Sequence, residues 1–274
     1  MTTDAPTTCY RHPDRVTGRS CTRCGRPACP DCLQEAAVGS HCVDCVREGR
    51  TPTTQRLQRQ LRGQNFIATK VIIAVNVIAF AFIAVRDGRV DGLGRTSADL
   101  ALFGPAVHQG EWWRLFTTSV VHFGFFHILF NMLLLWVIGQ LLEPGAGPLR
   151  FTTIYVVSVL AGSAGSLIAQ PHIPAGGASG GVMGLAAAAY LVLRRQGLSF
   201  WNTGFGPLII FVLLEPLFVA NIGWGAHVGG LIGGALATES MMSGRKAGHP
   251  ALGLLGAAFV GVAAVLLSFA VAGR

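Results

Sequence analysis

Charged residues are scarce in this sequence. Asp, Glu, Lys and Arg make up 12% of its 274 residues, against roughly 25% in soluble globular domains, while 51% are hydrophobic and the mean hydropathy is +0.51. That balance excludes an ordinary soluble domain and makes a membrane protein the first expectation. About half of the charges precede Phe66, so the chain divides there into a polar head and an apolar body. Cysteine is absent beyond Cys45. All seven cysteines lie between Cys9 and Cys45, an odd number, and this argues against a disulfide framework in a reducing compartment. The opening "MTTDAPTTCYRHPD" lacks an apolar run, so no cleaved signal peptide is expected and the head is expected to stay cytoplasmic. Basic residues outnumber acidic ones, 21 to 13, but form no stripe interleaved with aromatics, so nucleic acid is not an expected partner.

What the head does have is ligand pairs: "CYRH", "CTRC", "CPDC" and the "CVDC" of "HCVDC". Two residues between partners let both side chains of a tight knuckle face one tetrahedral ion, so these pairs predict two structural zinc sites. The expected grouping is interleaved, with Cys9, His12, Cys29 and Cys32 in one site and Cys21, Cys24, Cys42 and Cys45 in the other. Sequential pairing stays open at this point, as does replacement of Cys42 by His41. The head is too poor in large apolar residues to build a core unaided, so metal is expected to supply much of its folding energy. The expected domains are a zinc-binding head over 1–48, a basic linker over 49–65, a six-helix core over 66–241, and a C-terminal loop with a seventh helix over 242–274.

A bilayer core about 30 Å thick needs roughly 20 apolar helical residues to cross it. Seven stretches of the body qualify, near 66–85, 120–142, 151–169, 178–193, 206–221, 224–241 and 251–271, which predicts an all-α polytopic membrane protein. With a cytoplasmic amino terminus, Arg56, Arg59, Arg62 and Lys70, then Arg150, then Arg194 with Arg195, then Arg245 with Lys246 all fall inside, as the positive-inside rule asks. The long outer segment carries "EWWRLFTTS", whose tryptophans and Arg114 suit the headgroup region.

On that topology the second, fourth and sixth spans begin at the same outer face, and their first turns hold the unusual polar residues. "HFGFFHILFNM" supplies His122, His127 and Asn131, the last two on one helical face; "GGASGGVMG" supplies Ser179; "WGAHVGGLIGG" supplies His227. Polar side chains buried in a membrane usually pair or line a watery cavity. A serine becomes a nucleophile only when a base takes its proton, and His227 is the candidate, because the surrounding glycines let two helices approach closely. Free N–H groups at the start of the fourth span would favour an oxyanion beside Ser179. No aspartate occurs in a proposed span, so a Ser-His dyad is the most the chain offers.

"EWWR", "HFGFFHILFN", "GASG" and "AHVGGLIGG", in this order, resemble the rhomboid intramembrane serine proteases over residues 66–241. The head lies outside that likeness and resembles B-box and RING zinc fingers. The resemblance implies Ser179 as nucleophile and His227 as general base. It implies an oxyanion held by His127, Asn131 and the Ser179 N–H, with His122, Gly177 and Met183 in support. Met183 stands where many bacterial members have tyrosine. It further implies single-span membrane proteins as substrates, cut near the outer face, and no catalytic cofactor. The zinc head would serve a cytoplasmic protein partner.

Rival readings fail on content: there is no aspartate pair in the spans for an aspartyl protease, no "HExxH", and no inverted repeat of broken helices for a transporter. A catalytically silent, rhomboid-like adaptor that escorts membrane clients is the alternative. Glu215, before Pro216 in the fifth span, needs a partner or a proton at that depth.

Overall fold

The structure is a computed structural model that describes residues 7–36, 39–49, 66–198, 206, 210 and 223–274. Glu215, the fifth proposed span apart from Gly206 and Ile210, and the basic linker apart from Gly49 lie outside the described residues. The chain forms two compact units, Met1–Gln60 and Leu61–Arg274.

In the first unit, β1 (Thr8–Cys9) pairs antiparallel with β2 (His12–Val16), and β3 (Leu33–Glu35) with β4 (Ser40–Cys42). A 3-10 turn covers Pro30–Cys32, and α1 spans Val43–Gly49. Large apolar side chains are almost missing from its interior. Six of the seven cysteines are buried instead, with Tyr10 and Leu33 packed against both cysteine groups. The "CTRCG" knuckle closes through the Gly25 N–H to Cys21 O at 2.8 Å, with Gly25 at φ 76°, a conformation that favours glycine.

The described residues of the second unit form mostly helices: α2 (Ile67–Asp87), α3 (Arg95–Leu100), α4 (Gly104–His108), α5 (Arg114–Thr117), α6 (Phe125–Ala146), α7 (Pro148–Ala169), α8 (Ser179–Arg195), α9 (Trp224–Lys246) and α10 (Pro250–Val271). Helices α2, α6, α7 and α10 are long and apolar enough to cross a membrane, making this a multi-pass membrane protein. Helix α8 has 17 residues and is buried without a break from Ser179 to Ala186. A helix buried all round belongs at the centre of a bundle, and α6, α7 and α9 surround it.

Glycines set the spacing. A Cβ on Gly162 of α7 would lie 2.9 Å from Ala226 O of α9 and 3.3 Å from Gly180 Cα of α8, so three backbones meet there. Contacts of Gly180 with Gly230 and of Gly184 with Gly234 run in the same chain direction, so α8 and α9 are parallel and begin at one end of the bundle. Interfaces of small residues are the usual way membrane helices gain dispersion contacts, because lipid supplies no hydrophobic drive between them.

The second span differs from its sequence expectation. Thr118–Val120 forms a 3-10 turn, Val121 is extended, and Gly124 at φ 108° launches α6 at Phe125 rather than near 120. His122 therefore precedes the helix instead of lying on its first turn. At the other end α6 continues through Pro144 to Ala146, and the buried Glu143 accepts the Ala68 and Thr69 N–H groups at 2.8 Å each and the Thr69 hydroxyl at 2.6 Å. The carboxylate caps the start of α2, where orphan N–H groups and the helix dipole favour negative charge. Gly139 makes room for this clasp, since a Cβ there would come within 2.9 Å of Thr69 Cβ.

Candidate active site

The segment leading into Ser179 is held like a short strand by a single antiparallel bridge between Ala175 and Leu102. Leu102 and Ala175 exchange N–H···O bonds of 2.9 Å in both directions, and the Gly104 N–H reaches Pro171 O at 2.8 Å. Gly177 donates to Thr118 O at 2.9 Å, while the Thr118 hydroxyl donates to Ala175 O at 2.9 Å. Arg114 is buried within the protein. Its Nε meets Glu111 at 2.6 Å and its Nη1 meets the carbonyls of Ala98 and Ala101 at 2.6 and 2.7 Å, tying α3 to α5. Trp112 and Trp113 do remain exposed.

Ser179 is the first residue of α8 and is buried. The two preceding N–H groups are committed: that of Gly177 to Thr118 O, and that of Ala178 to His122 Nε2 at 3.4 Å. The Ser179 N–H has no partner among the described residues. His122 Nδ1 meets Val120 O at 3.4 Å, so the proton of its neutral ring sits on Nδ1.

His127 lies in the first turn of α6. Its Nδ1 accepts the Phe123 N–H at 3.2 Å, which leaves the proton of the neutral ring on Nε2. That Nε2 is buried and unpartnered. A Cβ built on Gly177, whose φ is 132°, would fall 2.8 Å from His127 Nε2 and 3.5 Å from Ser179 Oγ. The glycine thus keeps open a space flanked by an orphan donor and the hydroxyl. Asn131 Nδ2 donates to His127 O at 2.9 Å, and its buried Oδ1 is unpartnered. Orphaned buried polar groups are rare in folded proteins, so these call for a partner, water or substrate, that the protein itself does not supply.

His227 lies in the first turn of α9, 1% exposed, with neither ring nitrogen hydrogen-bonded, to Ser179 Oγ or to any other described atom. It adjoins Ala226, whose carbonyl would lie 3.4 Å from a Cβ on Gly180, the residue after Ser179. Ser179 and His227 therefore each stand one residue from the α8–α9 contact. Catalytic hydrogen bonds are commonly loose in free enzymes and tighten on substrate binding. Met183 is fully buried one turn below Ser179. A cavity of about 20 Å³, lined by Thr118, Ser163, Ser166, Gly177 and Ser179 among others, adjoins the hydroxyl and has room for one water.

In the head, the ligand atoms of Cys9, His12, Cys29 and Cys32, and those of Cys21, Cys24, Cys42 and Cys45, lie within 4.8 Å of one another in each group. The interleaved pairing is the one this fold makes, and His41 is not part of either cluster: it pairs with Gln34 across β3 and β4. Burial raises the Cys9 thiol, yet backbone bonds at Cys29, Arg11 and His12 outweigh it and hold Cys9 at about 6. Burial and the neighbouring thiols push Cys32 up to about 11 and Cys45 up to about 12. Four sulfurs, or three and an imidazole, cannot share so small a space as anions without a cation, and tetrahedral S₃N and S₄ sets suit a metal ion that closes its coordination shell.

Two residues of consequence left no mark in the sequence pattern: Thr118, which braces the strand before Ser179, and Glu143, just beyond the expected end of its span. The profile of the Rhomboid domain matches residues 109–245. The chain is 35% identical over 180 residues to the rhomboid protease GluP of Bacillus subtilis (strain 168), covering 63% of this chain and 34% of that one. It is 35% identical over 137 residues to the putative rhomboid protease YdcA of the same organism, covering 47% and 67%, and 37% identical over 154 residues to the rhomboid protease GlpG of Enterobacter sp. (strain 638), covering 53% and 54%. The chain thus spans about a third of the length of GluP and about half of GlpG. The matched stretch contains the buried Ser179, His127 and His227 and the helices that carry them, and the chain belongs to the rhomboid family.

Proposed function

We propose that this protein is an intramembrane serine endopeptidase that cuts single-span membrane proteins near the outer face of the cell membrane. The observation that carries the reading is a buried hydroxyl at a helix start, next to the helix bearing one unpartnered buried imidazole and across an open space from the Nε2–H of another. Ser179 Oγ attacks the scissile carbonyl, and His227 takes its proton and passes it to the leaving amine. Negative charge that develops on the carbonyl oxygen is received by the Ser179 N–H and His127 Nε2–H, with the α8 dipole behind them. Asn131 fixes His127 through its carbonyl and has a second amide hydrogen to offer. His122 holds the Ala178 N–H, Gly177 keeps the oxyanion space open, and Met183 packs beneath the nucleophile. Water then releases the acyl group with His227 as base.

The head, 1–48, holds two structural zinc ions that crosslink a chain too poor in apolar residues to fold alone, and it offers a docking module for a cytoplasmic protein partner. The linker, 49–65, and the basic residues at alternate ends of the helices support a cytoplasmic amino terminus, with the catalytic core over 66–241 and the seventh helix within 242–274. The decisive experiment reconstitutes the full chain in liposomes with a single-span reporter. Ser179→Ala and His227→Ala are each expected to abolish cleavage while thermal unfolding is unchanged; cleavage surviving in Ser179→Ala would make the chain an enzyme of another kind, and no cleavage by the wild-type protein would leave it a silent adaptor.

A further inference from the structure

Of the four residues before the nucleophile, Ala175, Gly177 and Ala178 have their backbone bound outside their own segment. Ala175 O accepts both the Leu102 N–H and the Thr118 hydroxyl, at 2.9 Å each, which fills its two lone pairs. Gly177 N–H goes to Thr118 O at 2.9 Å, and Ala178 N–H to His122 Nε2. Thr118 thus grips the strand at two points, once through its side chain and once through its main chain. Its own place is fixed by the 3-10 turn Thr118–Val120, and it is buried.

What the grip positions is Gly177. This residue sits at φ 132°, a conformation that costs glycine little but is not held by any side chain of its own. A Cβ there would already come within 2.8 Å of His127 Nε2, so a shift of Gly177 by a few tenths of an ångström changes the oxyanion space directly. Ser179 lies two peptide units farther along, and its N–H is the first in the row left unbonded.

We propose that the Thr118 hydroxyl is a positioning device for the nucleophile: by bonding Ala175 O it locks the strand so that Gly177 and the Ser179 N–H hold their places beside His127. The claim rests on the serine-protease reading and names a residue acting through others. Removing the hydroxyl leaves Ala175 O with the Leu102 N–H, so no buried carbonyl is orphaned and the fold survives; what is lost is placement, to which catalysis is far more sensitive than stability is.

The test compares Thr118→Val, which keeps the shape and loses the hydroxyl, with Thr118→Ser, which keeps the hydroxyl, in the full-length protein in liposomes. Thr118→Val is expected to lower kcat about tenfold with KM within about twofold, and to slow fluorophosphonate labelling of Ser179 by a similar factor, since misplacement by a fraction of an ångström costs that much. Thr118→Ser is expected to restore both. Thr118→Ala reads the same loss should the valine crowd the site. Wild-type kcat and labelling in the Val and Ala variants, or equal impairment in Ser and Val, would overturn the proposal. Cleavage that persists in Ser179→Ala would instead remove the serine reading beneath it, so the two failures are told apart.

Discussion

Gly230→Ala tests whether catalysis depends on the close approach of α8 and α9. Gly230 lies three residues past His227, and a Cβ there would fall 2.8 Å from the carbonyl carbon of Gly180 and nearer still to its oxygen. Ordinary contact begins at 3.4 Å, so the helices must part by at least about 0.6 Å beside Ser179 and His227, the two residues proposed to share a proton. Overpacking costs about 1–3 kcal/mol, and the better helix propensity of alanine returns about 1 kcal/mol, so the variant should fold. A displacement of 1 Å at a reacting pair can cost about 10²-fold, which sets an expected fall in kcat of about 10- to 100-fold. Gly261→Ala on α10 is the control. Its Cβ would meet Val157 and Leu160 at 3.4 and 3.6 Å, and activity should stay within about twofold. Both variants would be assayed in liposomes against a single-span reporter, with thermal unfolding in parallel. Full activity in Gly230→Ala would refute the idea that this backbone contact sets the dyad.

Glu143→Gln should destabilise the body by about 1–3 kcal/mol, because an amide cannot accept the Ala68 and Thr69 N–H groups on both of its heteroatoms and leaves a buried donor facing a donor. Unfolding in mixed detergent with increasing denaturing surfactant reads the shift, and an unchanged midpoint would contradict the clasp. In the head, the Cys9 group is shielded, while Cys24 of the other group is exposed. A chelator should therefore strip the Cys21–Cys24–Cys42–Cys45 ion first, giving two release phases by colorimetric metal assay on the intact protein; one phase accounting for both ions would show that exposure does not control exchange.

The sequence foretold the helices and the polar residues at their starts for a physical reason: a bilayer enforces length and apolarity on every span, and a buried Ser or His in such a span is conspicuous. The grouping of the cysteines into two sites followed from spacing, but only the fold separated interleaved from sequential pairing, because that depends on which strands pair. His122 falls outside the helix expected for it, since nothing in the sequence before Gly124 distinguishes a 3-10 turn from a helical start. Thr118 and Glu143, and the partners of Arg114, are illegible in another way. The partners of Arg114 include the carbonyls of Ala98 and Ala101, those of Thr118 are Ala175 O and Gly177 N–H, and Glu143 meets the N–H groups of Ala68 and Thr69. Periodicity reports side chains that must face one another. A side chain that binds the main chain leaves no such trace, because every residue but proline presents the same N–H and every residue the same carbonyl. The residues that hold Ser179 and its helices in place are therefore found by following backbone groups to their partners, and Thr118 is the one that this accounting brings nearest to the chemistry.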